Sequence, residues 1–132
     1  MTTKILIADD EPNILISLEF LMKREGYEVH VARDGQEAMD LLRRERPRLL
    51  LLDVMMPKKT GFEVCQEVRL DDSIKDTLIL MLTAKGRETD VVKGLALGAN
   101  AYMTKPFSTR ELADKVKALL APAPPGAAPP EA

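Results

Sequence analysis

Along this chain, short apolar runs alternate with longer stretches in which apolar residues return every three or four positions. "KILIA" (Lys4–Ala8) is the first run. Ile14, Leu15, Leu18, Leu21 and Met22 then form a stripe that predicts a helix near Pro12–Glu25, with Gly26 as its stop. "EVHVA" (Glu28–Ala32) predicts a second strand. Asp34 with Glu37 has the capping-box pattern and opens a helix through Ala38, Leu41 and Leu42. "LLLL" (Leu49–Leu52) is the third strand, followed by a loop and a helix bearing Val64, Cys65 and Val68. "TLILML" (Thr77–Leu82) is the fourth, followed by a helix on Val91, Val92 and Leu95 that ends near Gly98. "NAYMT" (Asn100–Thr104) is the fifth, and Ser108 with Glu111 caps a last helix on Leu112, Val116 and Leu119.

Five strands alternating with five helices imply an α/β domain with a parallel sheet. Strands one, three and four are almost continuously apolar, as strands covered on both faces must be. Strand two alternates, with Val29 and Val31 opposed to Glu28 and His30, and strand five alternates at Asn100, Tyr102 and Thr104. These two are therefore the edges. Right-handed crossovers then give the order 2-1-3-4-5, with helices one and five on one face and helices two to four on the other. The switch point lies between strands one and three, at the carboxyl ends of the strands, where such sheets bind ligands.

Composition narrows the function classes. The chain has 132 residues, enough for one domain with a real core. Apolar and charged contents of 45% and 30% describe a soluble globular protein. A net charge of −2 argues against a nucleic-acid footprint. No run is long enough to span a bilayer, and the start, "MTTKILIADD", lacks the parts of a signal peptide. The lone Cys65 excludes an internal disulfide and fits a reducing cytosol, so a cytoplasmic location is expected. Residues 1–121 form the expected domain; 122–132, Pro/Ala-rich and aperiodic, are expected to be a flexible tail or a linker to a missing domain.

The chemistry collects at the strand tips. Strand one ends at Asp9 and Asp10, strand three at Asp53, strand four at Thr83 and strand five at Lys105. In a parallel sheet these ends share one edge. Three crowded carboxylates need a counter-charge, which Lys105 and a hard cation such as Mg²⁺ or Mn²⁺ would supply. With a hydroxyl and an ammonium beside them, the residues suggest phosphoryl transfer to a carboxylate.

The motifs "ILIADDEP", "LLLLDVMMPKKTG", "LTA" and "YMTKPF" together resemble the receiver domain of the two-component response-regulator family, over Thr3 to about Leu120. The resemblance implies a flavodoxin-like doubly wound fold. It implies Asp53 as phosphoacceptor, Asp10 as a direct Mg²⁺ ligand, Asp9 acting largely through water, and the backbone carbonyl of Met55 completing the set, with Mn²⁺ able to substitute. Thr83 and Lys105 would each bond a phosphoryl oxygen, and the Lys105–Pro106 bond would be cis. Ala84 would leave a path to the phosphate, and Met55 and Lys85 would line the approach of hydrolytic water. Thr83 and Tyr102 would form the switch, read out on the fourth helix, fifth strand and fifth helix. Implied partners are a histidine kinase or phosphotransfer protein and a downstream target or missing output domain. Direct nucleic-acid binding, membrane association, a small-molecule cofactor and turnover catalysis are not expected; self-phosphorylation and slow self-dephosphorylation are. Where large DNA-binding members carry acidic residues before the strand-five aromatic, this chain has Asn100 and Ala101, and Lys115 stands where they carry arginine. Those differences argue against their symmetric dimer.

Other readings remain beside this one. A phosphorylation-independent receiver-like binding module shares the motifs. An aspartyl phosphatase would space its acids two apart on strand one, and a flavin carrier would need a Ser/Thr/Gly-rich loop where "DDEPN" stands. Taken singly, each site residue has an ordinary explanation: Asp9 and Asp10 near a helix start, Asp53 in a loop, Tyr102 on an edge. His30 is expected at the surface away from the crevice, and Cys65 in the core.

Overall fold

The computed structural model describes residues 2–84 and 87–121. Its elements are β1 (Lys4–Ala8), α1 (Pro12–Arg24), β2 (Glu28–Ala32), α2 (Gly35–Glu45), β3 (Leu49–Asp53), α3 (Gly61–Leu70), β4 (Leu78–Ala84), α4 (Glu88–Ala96), β5 (Ala101–Lys105) and α5 (Thr109–Leu120). The strands pair in parallel in the order β2-β1-β3-β4-β5. The expected tail, 122–132, and Lys85 lie outside the described residues. No helix among the described residues is long and apolar enough to cross a membrane.

Two apolar layers sandwich the sheet. Leu15, Leu18, Leu21 and Met22 of α1 and Leu112 and Val116 of α5 pack on Ile5, Ile7, Leu49, Leu51, Leu80 and Leu82. On the other face α2 and α3 pack on Leu6, Ala8, Leu50, Leu52, Ile79 and Met81. The Leu49–Leu52 run thus feeds both layers alternately, and all five residues of β3 are buried. With leucine on both faces, side-chain alternation alone would leave the register of β3 loosely defined. Its polar ends fix it: sliding the strand inward by one residue would carry the Asp53 charge into leucine, at a large desolvation cost.

Local chemistry sets the helix ends. Gly26 takes φ +95°, which suits the turn after α1. Asp34 accepts from the Glu37 N–H, while the Glu37 carboxylate accepts from the Arg33 N–H, one place before the cap residue. Ser108 accepts from the Glu111 N–H at the start of α5. A full capping box at Thr60 and Glu63 opens α3.

Three expectations are corrected. β4 runs on to Ala84, so Thr83 lies inside the strand. β5 begins at Ala101, and Asn100 is a loop residue whose side chain accepts from the Ile79 N–H. The apolar stripe of α4 is only partly buried: Val91 is half-buried, but Val92 is 68% exposed and Leu95 43%, whereas Asp90 and Gly94 face inward. Cys65 is buried, as expected, and that burial raises its thiol pKa. On the β2 edge His30 is half-buried and bonds Glu28 at 2.9 Å, beside Glu45 and Lys4.

Candidate functional site

At the carboxyl edge, β1 delivers Asp9 and β3 delivers Asp53 to adjacent places. Asp9 is fully buried, Asp53 nearly so, and Asp10 is exposed. One oxygen from each of the three lies within 4.8 Å of the others. Lys105, from the far edge strand, spans β4 to reach them. Its Nζ donates to Asp9 Oδ2 at 2.9 Å and to Asp53 Oδ1 at 3.3 Å, with Glu11 Oε1 at 4.0 Å. The other Asp9 oxygen accepts from the Glu11 N–H at 2.9 Å, at the start of α1.

The charges do not balance. Burial first, and the Asp9 charge second, push the Asp53 carboxyl from 3.8 up to about 6, against the pull of Lys105. Burial works to lower the Lys105 ammonium. The Asp9 hydrogen bond and the charges of Asp53 and Asp9 outweigh it, and its pKa moves upward. Among the described residues, one ammonium stands with three acids, which leaves this part of the crevice short of positive charge. Its donors are hard carboxylate oxygens, the set that suits a small divalent cation.

Thr83 sits one place beyond Leu82, the register partner of Asp53, and pairs with Thr104. Its hydroxyl is buried and has no hydrogen-bond partner among the described residues. Such a group costs about 1–3 kcal/mol until something bonds it. Tyr102, the register partner of Met81, is 43% exposed. Ala84 is small and exposed, and the Met55 side chain is 60% exposed beside buried Val54 and Met56. The Lys105–Pro106 bond is cis, as the resemblance implied.

Sequence reasoning missed the support behind Asp53. Gly61 packs so tightly that a Cβ there would collide with the Asp53 carbonyl. Its N–H donates to the Val54 carbonyl at 2.8 Å, and the Val54 N–H donates to Leu82 at 3.2 Å. Across the loop, the Pro57 carbonyl accepts from both Lys59 and Gly35, and Lys58 pairs with Asp34 at 3.6 Å. The Thr60-x-x-Glu63 spacing was a visible sign that a helix starts here, directly after the loop that carries Asp53 and Met55.

The sequence profile described as "Response regulator receiver domain" matches residues 5–117. Among solved structures, a candidate response regulator from Chloroflexus aurantiacus J-10-fl is 37% identical, with a TM-score of 0.87 over 91% of this chain and 98% of that one. The chemotaxis response regulator CheY4 of Vibrio cholerae is 34% identical, with a TM-score of 0.86 over 91% and 100%. The signal receiver domain of a signal transduction histidine kinase from Syntrophus aciditrophicus is 33% identical, with a TM-score of 0.83 over 90% of each chain. The same order 2-1-3-4-5 and the match across nearly the whole described chain leave one assignment: this chain belongs to the response regulator receiver domain family.

Proposed function

We propose that this receiver domain takes a phosphoryl group onto Asp53 from a phosphohistidine on a histidine kinase or phosphotransfer protein. The family's general function is a phosphorylation-activated switch; the assignment of its parts to these residues is our reading. An Asp53 carboxylate oxygen forms the new bond to phosphorus while the bond from phosphorus to the donor nitrogen breaks. Asp9, Asp10, Asp53 and the Met55 carbonyl would hold Mg²⁺, or Mn²⁺ in its place, which supplies the charge that offsets the phosphoryl oxygens. Lys105 bonds one phosphoryl oxygen, and its long stem lets an edge-strand residue reach the site. Thr83 bonds another.

The observation that carries this reading is the buried, unpartnered Thr83 hydroxyl beside a crowded carboxylate cluster. A phosphoryl oxygen would accept a hydrogen bond from it, and the acids' shortage of positive charge calls for the cation. Moving Thr83 toward the phosphoryl group frees space on the face it shares with Met81 and Tyr102, and an inward Tyr102 would fill it. The face of α4, β5 and α5 would then control a partner or output domain. No substrate is turned over; only self-phosphorylation and slow hydrolysis are expected.

The test is intact mass after incubation with a small acyl phosphate and Mg²⁺, alongside Asp53→Asn and a chelator control. We expect one phosphoryl adduct that requires both Mg²⁺ and Asp53. A folded protein that takes no adduct, or one that modifies equally as Asp53→Asn, would overturn the reading and favour a phosphorylation-independent binding module.

A further inference from the structure

Arg69, at the end of α3, makes a denser set of hydrogen bonds than any other side chain among the described residues. Its Nε donates to the Gly98 carbonyl at 2.9 Å. One Nη donates to the carbonyls of Lys75 and Thr77, both at 2.7 Å, and the other to Asn100 Oδ1 at 2.8 Å. Asn100 Oδ1 also accepts from the Ile79 N–H at 2.8 Å, and the Asn100 N–H donates to the Ile79 carbonyl at 2.9 Å. One planar guanidinium therefore ties the loop before β4 to the loop between α4 and β5. Gly98, at φ +112°, leaves room for it, since a Cβ there would press on the Arg69 stem. Cys65 Sγ adds a contact to the Leu97 carbonyl at 3.5 Å.

The rest of α4 is held differently. Its two buried residues are Asp90 and Gly94, and Val92 and Leu95 point to solvent. Gly94 rests directly on the Met81 sulfur. Met81 is the register partner of Tyr102 and lies two residues before Thr83 on the same face of β4. α4 thus rests on the switch face at Gly94, with Val91 half-buried and Lys93 Nζ 4.5 Å from the centre of the Phe62 ring of α3, while the Arg69 hydrogen bonds gather just beyond its C-terminal end.

We propose that Arg69 is the clamp that fixes Leu97–Asn100, the segment that follows α4, so that phosphorylation changes the helix and not its attachment. This rests on the reading that Asp53 is phosphorylated. Arg69 is a positioning residue and touches none of the reacting groups. The planar fork matters more than the charge, because the acceptors are three carbonyls and one amide oxygen spread around it.

Hydrogen exchange read by mass spectrometry, with and without excess acyl phosphate and Mg²⁺, tests this on the whole chain, with intact mass recording the adduct. In the wild type, the donor should alter exchange across 88–96 and leave 97–100 within twofold. In Arg69→Gln, the 97–100 amides should exchange at least tenfold faster without donor, and the donor effect should spread into them at unchanged adduct yield. Arg69→Lys keeps the charge and loses the fork, so it should follow Arg69→Gln; it carries the test if the glutamine variant does not fold. Exchange of 97–100 within twofold of wild type in either variant would overturn the clamp. So would a donor effect in the wild type as large at 97–100 as at 88–96. No adduct in the wild type would overturn the Asp53 reading, and the switching part of the proposal with it.

Discussion

Asp53→Asn should stabilise the cation-free protein at neutral pH, although it removes the residue on which the proposed function turns. In the fold, the Asp53 carboxyl is pushed from 3.8 to about 6 by burial and by the charge of Asp9, with Lys105 pulling the other way. A group whose folded pKa lies above its unfolded one favours folding only while it can stay protonated. Its cost is near zero below about pH 4, grows between the two values, and is full above the folded value of about 6. At 1.36 kcal/mol per pKa unit the full cost would be about 3 kcal/mol. Water at the crevice mouth, where Asp10 is exposed, screens these charges, and we expect about 1–2 kcal/mol. The assay is urea unfolding of wild type and Asp53→Asn in chelator at half-unit steps from pH 4 to pH 8. Comparing the two proteins cancels the carboxyl groups remote from this cluster. The stability difference should be small at pH 4, rise toward pH 6 and level off above it in favour of the variant. A flat difference, or a wild type that is the more stable protein at pH 8, would refute the picture of Asp53 as an underpaired buried acid.

Three further outcomes follow from the same geometry. Mg²⁺ should raise the wild-type melting temperature at pH 7.5 in proportion to the logarithm of its concentration once the site is filling, and should do so much less in Asp53→Asn; equal rises in both would show that the ion acts elsewhere. Thr83→Val removes the unpartnered hydroxyl, so it should gain about 1 kcal/mol of stability in urea while losing the phosphorylation-dependent exchange change in α4. Gly61→Ala forces a Cβ onto the Asp53 carbonyl, and should cost about 1–3 kcal/mol and slow adduct formation; normal kinetics would show that the loop gives way without moving Asp53.

The strand order was legible because central and edge strands carry different patterns: "LLLL" must be covered twice, whereas Glu28 and His30 cannot be. The meeting of the acids with Lys105 was legible for the same reason, since Asp9, Asp53 and Lys105 stand at or just past strand ends and parallel strands bring those ends to one edge. α4 shows where such reasoning stops. Helical spacing of Val91, Val92 and Leu95 marks one side of a cylinder, but does not say whether that side meets the sheet; here Gly94 does. Thr83 read as a strand end because threonine is polar, yet it is also a good strand former, and β4 continues through it. Arg69, Asn100 and Gly61 left no periodic trace. Their roles lie in hydrogen bonds and close approaches between segments far apart in sequence.

The charged fringe of β2 has a consequence for how copies of this chain meet. An edge strand offers a row of free peptide groups onto which another strand can add, and a short parallel sheet is an easy template for such growth. On this edge strand Glu28 and half-buried His30 lie on the α2 face of the sheet and join Lys4 and Glu45 in a cluster of mixed charge. A second copy laying its own β2 alongside would bring like charges together and strip water from both clusters. The fringe would therefore disfavour sheet-to-sheet growth through β2.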